Sequence, residues 1–265
     1  MTQAKIVDIH RYYRVGGIDW GKLKANFDAV IISTGVGLNI NPLLKEQVDG
    51  AVANGVPYMT YILPDVMAGA LHGQMLNYLS LPGVMDGWTC LDIEAPRAGV
   101  RWMTASETLQ CAWEIEEATT KKPLLYSRKT ILDTWGTQSW MCNYKWWIAQ
   151  YPYENWLLKR QYTGYDTFLV KYANAYPPAV VNAPYKSSVV LWQFSEKGTA
   201  QALCASAHTQ DPHYPTGILE CDLNISTVDK VDFLALLGAT TPLPIPTLEA
   251  RVTDLERRVS NLEMV

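Results

Sequence analysis

Several things are scarce in this chain of 265 residues, and each scarcity narrows what the protein does. Long apolar runs are missing: no window of about 18 or more uninterrupted apolar residues occurs, so there is no candidate for a membrane-spanning helix. The start, Met1 to Ile9, runs straight into strand-like sequence without the layout of a signal peptide. The expectation is a soluble chain with no secretion address. Basic charge is in short supply, with 22 Lys and Arg against 26 Asp and Glu and a net charge of −4. Phosphate backbones and anionic lipids attract a basic footprint, so neither nucleic acid nor a membrane is expected as a partner. The five cysteines (Cys90, Cys111, Cys142, Cys204 and Cys221) are odd in number and hold no Cys-x-x-Cys pair. That argues against a disulfide framework and a zinc site, leaving Cys204 with Cys221 as the one pair worth checking for a bridge. Four histidines (His10, His72, His208 and His213) lack metal-ligand spacing, and there is no Gly-x-Ser-x-Gly elbow or P-loop. Gly35-Val-Gly37 lacks a third glycine, since Ile40 takes its place, and reads as a rim loop. No metal and no other cofactor is expected.

What is present is an ordinary globular composition, 48% hydrophobic and 18% charged, in a length that suits one large domain with an appendage. Short apolar runs alternate with helical patterns. Strands are predicted over Lys5–Ile9, Ala29–Ser33, Val56–Leu63, Trp88–Glu94, Pro123–Ser127 and Trp146–Gln150. Helices are predicted over Ile18–Ala25, Pro42–Asn54, Met67–Leu79, Thr104–Thr119 and Lys129–Trp135. This is the βαβ rhythm of a parallel sheet. Thr104 and Glu107 form a capping box, each side chain satisfying the other's free backbone N–H. After Gln150 the rhythm fails, giving aromatic and Pro-rich sequence before one more clear strand at Val189–Phe194. An eight-stranded α/β barrel whose last strands lack full helices accounts for both halves.

The composition changes abruptly near the end. Prolines at 242, 244 and 246 favour an extended spacer over residues 239–247. Beyond it, Leu248, Val252, Leu255, Val259 and Leu262 recur at steps of four and three, the seam of a coiled coil. The helix, residues 248–265, spans barely two heptads. It suits a homo-oligomerisation tail, the alternative being a helix that packs on its own domain or frays.

The stretch Trp88-Thr-Cys-Leu-Asp-Ile-Glu94 puts two acids in a strand. Successive side chains of a strand face opposite ways, so Leu91 and Ile93 would meet outer helices while Cys90, Asp92 and Glu94 point into the barrel. The acids then stand at the carboxyl end of the strand, where barrel enzymes keep their active sites. Asp8, between Val7 and Ile9, repeats the pattern on the first strand. Close, partly buried carboxylates repel one another, which raises at least one pKa and leaves a proton available to a general acid. That is the requirement of glycoside hydrolysis. Asp92 and Glu94 should sit roughly 6–7 Å apart by strand geometry, between the retaining and inverting separations. The bland alternative is a salt-bridged pair at a sheet edge.

The ordered set Val7-Asp-Ile9, Ile18-Asp-Trp20, Asn41 to Ala53 with Gly55, Leu91-Asp-Ile-Glu94, Pro123-Leu-Leu-Tyr126, Trp147-Ile-Ala149 with Tyr151, Trp192-Gln-Phe194 and Cys221-Asp-Leu-Asn224 resembles the family 25 glycoside hydrolases. These are muramidases, or lysozymes, common in phage endolysins and bacterial autolysins. The resemblance covers about residues 5 to 229. It implies an incomplete TIM-like (β/α)5(β)3 barrel over residues 1–238 and cleavage of the β-1,4 bond between N-acetylmuramic acid and N-acetylglucosamine of bacterial peptidoglycan, without a cofactor. It makes Glu94 the proton donor, with Asp92 and Asp8 shaping the electrostatics and assisting the water or the acetamido group, and Asp222 lining the same site. Asp222 could equally hold a turn. Tyr61, Tyr126, Tyr151 and Trp192, near predicted strand ends, are the candidate sugar platforms, although most large aromatics of a barrel are core. Of the adjacent Trp146 and Trp147, only one can face inward.

The resemblance also suggests a phage or prophage lysin, held in the host cytoplasm until release or carried on the virion, and acting on the cell wall. Departures from the family pattern are His10 where a small residue is usual, Tyr61-Ile-Leu63 in place of a Tyr-His-Phe-like run, and a long connection from Tyr151 to Trp192. They leave room for other readings: a non-catalytic wall-binding or virion structural module on the same barrel, or a barrel glycosidase of another polysaccharide.

Overall fold

The computed structural model describes residues 2–10, 18–180, 182–199 and 220–238. Cys204, His208, His213, the linker at 239–247 and the predicted coiled-coil helix at 248–265 lie outside the described residues. In chain order the elements are β1 (Lys5–Ile9), α1 (Trp20–Asn26), β2 (Ala29–Val36), β3 (Asn39–Ile40), α2 (Leu44–Ala53), β4 (Tyr58–Leu63), α3 (Leu71–Leu79), β5 (Trp88–Asp92), α4 (Ala105–Thr119) and β6 (Leu124–Arg128). There follow α5 (Lys129–Trp135), β7 (Lys145–Ala149), β8 (Tyr153–Asn155), β9 (Arg160–Gln161), α6 (Tyr165–Tyr172), β10 (Val189–Thr199), β11 (Glu220–Ser226) and α7 (Lys230–Leu236).

Eight of the strands close into a barrel in the order β1, β2, β4, β5, β6, β7, β10, β11 and back to β1. Neighbours run parallel from β1 round to β10. β11 is antiparallel to both β10 and β1 and completes the ring. The mixed α/β class and the closed eight-stranded barrel therefore match the expectation. β8 and β9 form a separate hairpin, and β3 folds back antiparallel on the end of β2. Gly35 makes that last turn possible: its φ is +137°, and a Cβ there would lie 2.0 Å from the Asn39 carbonyl oxygen.

Strand alternation sorts side chains into an inner and an outer core, and this is what aims the acids. Ile6, Ile31, Met59, Cys90, Leu124, Tyr126, Trp147 and Leu191 fill the barrel. Leu91, Ile93, Ile62, Trp146 and Ile148 face outward onto Met75 and Tyr78 of α3 and Ala112 and Ile115 of α4. Val7, Ile9, Ile32, Leu223 and Ile225 pack outward with Leu23, Val48, Tyr165 and Phe168. Trp147 is thus the inward member of its pair. The Tyr165 hydroxyl stitches the closure, donating to the Ile6 carbonyl (2.6 Å) or the Asn224 carbonyl (2.9 Å) across β1 and β11. The capping box at Thr104 is formed: the Thr104 side chain accepts from the Glu107 N–H and the Glu107 carboxylate accepts from the Thr104 N–H. A bidentate Arg101 partner and this cap hold the Glu107 carboxyl down at about 2.

Differences from the sequence expectation have local causes. The second and third helices begin later than predicted, at Leu44 and Leu71, because Pro42 and Asn41 belong to a turn and Asp65 with Gly69 to a loop bonded to Gln74. The stretch after Gln150 holds the β8–β9 hairpin and the eight-residue α6, whose Phe168 is fully buried against Trp192 and Phe194. Aromatic spacing there is that of a short amphipathic helix, which the flanking prolines mask in the sequence.

Candidate active site

Four carboxyl groups from three strands meet at one end of the barrel. Asp92 ends β5, Glu94 follows two residues on, Asp8 lies near the end of β1, and Asp222 stands directly opposite Asp8 on the antiparallel β11. Even-numbered residues of β1, β5 and β11 share the inward face, so alternation alone delivers all four. Asp222 is therefore a strand residue, not part of a turn.

Asp8 is buried and accepts from the Asn224 side-chain amide (2.9 Å) and, more weakly, from that of Gln193 (3.4 Å). Burial pushes its pKa up to about 6, against these hydrogen bonds. Asp222 shares a hydrogen bond with Asp8, and burial followed by the charge of Asp8 drives its own pKa well above the carboxylate range. Burial and mutual repulsion thus favour a proton shared within this pair. Asp92 is also buried; its pKa is pushed well up by burial, then by Glu94 and Asp8, against the pull of Arg128. Its Oδ1 has no hydrogen-bond partner among the described residues. An unmade bond to a buried carboxyl costs about 1–3 kcal/mol or more, and such a group stands ready for a ligand.

Glu94 is more open than Asp8 and Asp92, its side chain 21% exposed. Its Oε1 accepts from Arg128 Nε at 2.7 Å, and Arg128 in turn lies over the Tyr151 ring, 5.7 Å from its centroid. Burial raises the Glu94 pKa, Arg128 opposes it, and Glu196 adds to the rise; the net shift is upward. A half-exposed arginine thus opposes part of the upward shift that burial imposes on Glu94.

The aromatic candidates divide. The Tyr126 and Tyr151 hydroxyls both donate to Gln193 Oε1, at 2.7 and 2.8 Å. Tyr126 lies 4.3 Å from Trp147 between ring centroids, and Tyr61 packs edge-on to the same indole. Burial, then Asp8, raises the Tyr61 pKa, so all three hydroxyls stay protonated donors at neutral pH. Trp192 does not join them. Its side chain points away from the barrel interior, is fully buried against Phe168 and Tyr172, and donates from Nε1 to the Gln150 carbonyl at 2.7 Å. It has no face to offer a sugar, and the expectation of a platform there is corrected. A β-bulge between Val189 and Leu191 sets the parity that turns Gln193 inward in its place.

Gln193, Asn224, Arg128 and Glu196 are the site residues that sequence reasoning passed over. Asn224 was legible, since it is two residues beyond Asp222 on the same face; it holds Asp8 and accepts from Trp147 Nε1 at 2.8 Å. Beside the acids, His10, Ser33, Val36, Asn39, Asn41 and Tyr61 line a cavity of about 200 Å³. Among the described residues no group of three or more His, Cys, Asp or Glu is placed to hold a metal ion.

An α/β barrel with a general-acid candidate, companion carboxyls of raised pKa and tyrosine hydroxyls at the carboxyl ends of its strands defines a glycoside hydrolase. Over residues 7–203 the chain matches the family described as Glycosyl hydrolases family 25, and it belongs to that family. Its fold is similar to that of the bacterial lysozyme from Streptomyces coelicolor (TM-score 0.63, 16% identity, covering 90% of this chain and 98% of that one). It is also similar to a family GH25 lysozyme from Aspergillus fumigatus (TM-score 0.62, 15% identity, 89% and 99% covered). A third likeness is to the catalytic domain of an endolysin from a Listeria monocytogenes bacteriophage (TM-score 0.56, 18% identity, 90% and 98% covered). No curated protein matches the chain.

Proposed function

We infer that the protein is a peptidoglycan muramidase that cleaves the β-1,4 bond between N-acetylmuramic acid and N-acetylglucosamine. The observation that carries this reading is the convergence of Asp8, Asp92, Glu94 and Asp222 at one barrel mouth, with every carboxyl pKa raised, in a chain of glycosyl hydrolase family 25. Glu94, more accessible than Asp8 and Asp92, donates the proton to the glycosidic oxygen. A substrate that draws Arg128 aside removes the one influence lowering the Glu94 pKa and so favours its acid form. Asp92, with an unpartnered oxygen beside Glu94, steadies the developing positive charge or orients the acetamido group or water. Asp8 and Asp222 tune Asp92 by their shared proton. Tyr61 and Tyr151 form the wall against which the sugar lies, and Gln193 sets the Tyr151 hydroxyl while the buried Tyr126 braces Gln193 from behind.

The order of five strand-and-helix units followed by β7, β10 and β11 supports reading the barrel as an incomplete TIM-like (β/α)5(β)3 one. Similarity to an endolysin catalytic domain supports a phage or prophage lysin, kept in the host cytoplasm until release or built into the virion. The test is turbidity loss and reducing-sugar release from purified cell wall, with mass spectrometry of the products. Glu94→Gln should reduce the rate at least about 100-fold, the range of general-acid catalysis. Equal release by both proteins would overturn the role of Glu94, and wall binding without soluble product would favour a non-catalytic wall module.

A further inference from the structure

Beyond the acid cluster, the β8–β9 hairpin carries a surface that the barrel chemistry does not use. Its tip, Trp156-Leu157-Leu158, exposes all three side chains, at 74%, 73% and 71%. Turn tips are ordinarily polar, and three consecutive exposed large apolar residues mark a contact surface. The tip is nonetheless held in shape: Asn155 Oδ1 accepts from the N–H groups of Leu157 (3.1 Å) and Leu158 (3.2 Å), and the Lys159 N–H donates to the Trp156 carbonyl (3.3 Å).

The base of the hairpin is fastened to the rim of the site. Glu196 N–H donates to Gln161 Oε1 at 3.0 Å, and the Ser195 hydroxyl donates to the Tyr162 carbonyl. Glu196 faces Glu94, Asp222 and Tyr151 electrostatically. β7 runs parallel to its neighbours and ends at the same mouth as the acids, with Ala149 paired to Arg128 and to Gln193. Four residues separate Tyr151 from Trp156, a span of at most about 18 Å, which is the length of a few sugar rings.

We propose that this hairpin is a distal glycan-binding platform, on which the Trp156 indole stacks against a pyranose ring of the polysaccharide several sugars away from the cleaved bond. Leu157 and Leu158 would cover the methyl-bearing side of the same strand. The proposal rests on the muramidase reading, which supplies a long carbohydrate chain crossing the mouth. Place favours this occupant: the hairpin follows β7 at the mouth and its base is bonded to Glu196 at the rim, so it stands beside any chain that fills the mouth. Lys159 and Arg160 next to the tip, the latter paired with Glu154, make an anionic bilayer the competing occupant, which the vesicle arm of the test decides.

The variants are Trp156→Ala with Leu157→Ser and Leu158→Ser together, and Trp156→Phe alone. Each is measured on insoluble purified wall and on a soluble tetrasaccharide too short to reach the hairpin. The triple variant should need about tenfold more wall for half-maximal rate, the equivalent of losing one good stacking contact. Its maximal rate and tetrasaccharide turnover should stay within about twofold of the parent, and Trp156→Phe should keep most of the wall affinity. Unchanged half-saturation on wall, or an equal loss on the tetrasaccharide, would overturn the platform. So would parent protein that floats with phosphatidylglycerol vesicles or sediments as a dimer, where the triple variant does neither. Failure of the parent to release sugar from either substrate would count against the muramidase reading; co-sedimentation with wall, which needs no turnover, still decides the hairpin.

Discussion

Asp8→Asn isolates the free energy stored in the acid cluster. Asp8 is buried, and its pKa rises from the ordinary 3.8 to about 6 in the folded protein. A folded-state pKa above the unfolded one means that the native state binds the proton more tightly. The Asp8 contribution to stability is therefore fully present below about pH 4 and is lost as pH rises from 3.8 through about 6. That shift corresponds to roughly 3 kcal/mol by pH 7. Asparagine removes the charge yet can accept from Asn224 and donate to Asp222, so part of the hydrogen bonding survives. We expect the variant to be about 1–3 kcal/mol more stable than the parent at pH 7, a rise in Tm of roughly 3–10 °C, and to match the parent near pH 3.5. Wall hydrolysis should fall at the same time, because Asp92 and Asp222 lose the neighbour that helps set their protonation. The assay is calorimetric melting at several pH values alongside reducing-sugar release. Destabilisation at pH 7, or an increment that does not change with pH, would refute the argument that burial of this carboxylate is uncompensated.

Arg128→Met removes the cation that lowers the Glu94 pKa, so the alkaline limb of the pH–rate profile should move to higher pH; an unmoved limb would dismiss the ion pair as a control on the acid. Trp192→Ala should cost about 3–5 kcal/mol, as for a buried tryptophan, while leaving the wall concentration for half-maximal rate unchanged, measured by urea unfolding and wall digestion. Thr104→Ala should cost about 1 kcal/mol through loss of a helix cap, with activity kept. For the C-terminal seam of Leu248, Val252, Leu255, Val259 and Leu262, sedimentation of the full chain against one ending at Thr240 should give a larger mass for the former; equal monomer masses would remove the oligomerisation proposal.

How much of this was legible depended on whether one face of a strand differs chemically from the other. In Trp88–Glu94 outward aliphatics alternate with inward acids, so direction, burial and chemistry could be read together. The same holds for β1, where Val7 and Ile9 flank Asp8. In β11 Asp222 and Asn224 alternate with Cys221 and Leu223 in the same way, but the run stands apart from the βαβ rhythm and no strand was expected there. In β10 it fails. Residues 189–194 are buried on both sides and interrupted by a bulge, so nothing in the sequence tells Trp192 from Gln193, and the more conspicuous aromatic misleads. Arg128 and Glu196 were hidden for another reason: each sits beside a lysine, Lys129 or Lys197, in a run that reads as ordinary surface charge. The partner of each is fixed by lateral pairing between strands and has no signature along the chain. The helix α6 shows a third limit, since its eight residues are defined by what Phe168 packs against and hardly by their own pattern.

The antiparallel closing strand has a consequence for the order of synthesis. Asp222 meets Asp8 only through pairing between β11 and β1, and Asn224, which holds Asp8, comes from the same strand. A nascent chain that has not yet released residues 220–226 therefore lacks both an acid and its positioning amide, and its first strand has an open edge. A product that ends before β11 would keep Glu94 with its Arg128 partner but leave Asp8 without Asp222 opposite it and without the Asn224 amide that holds it.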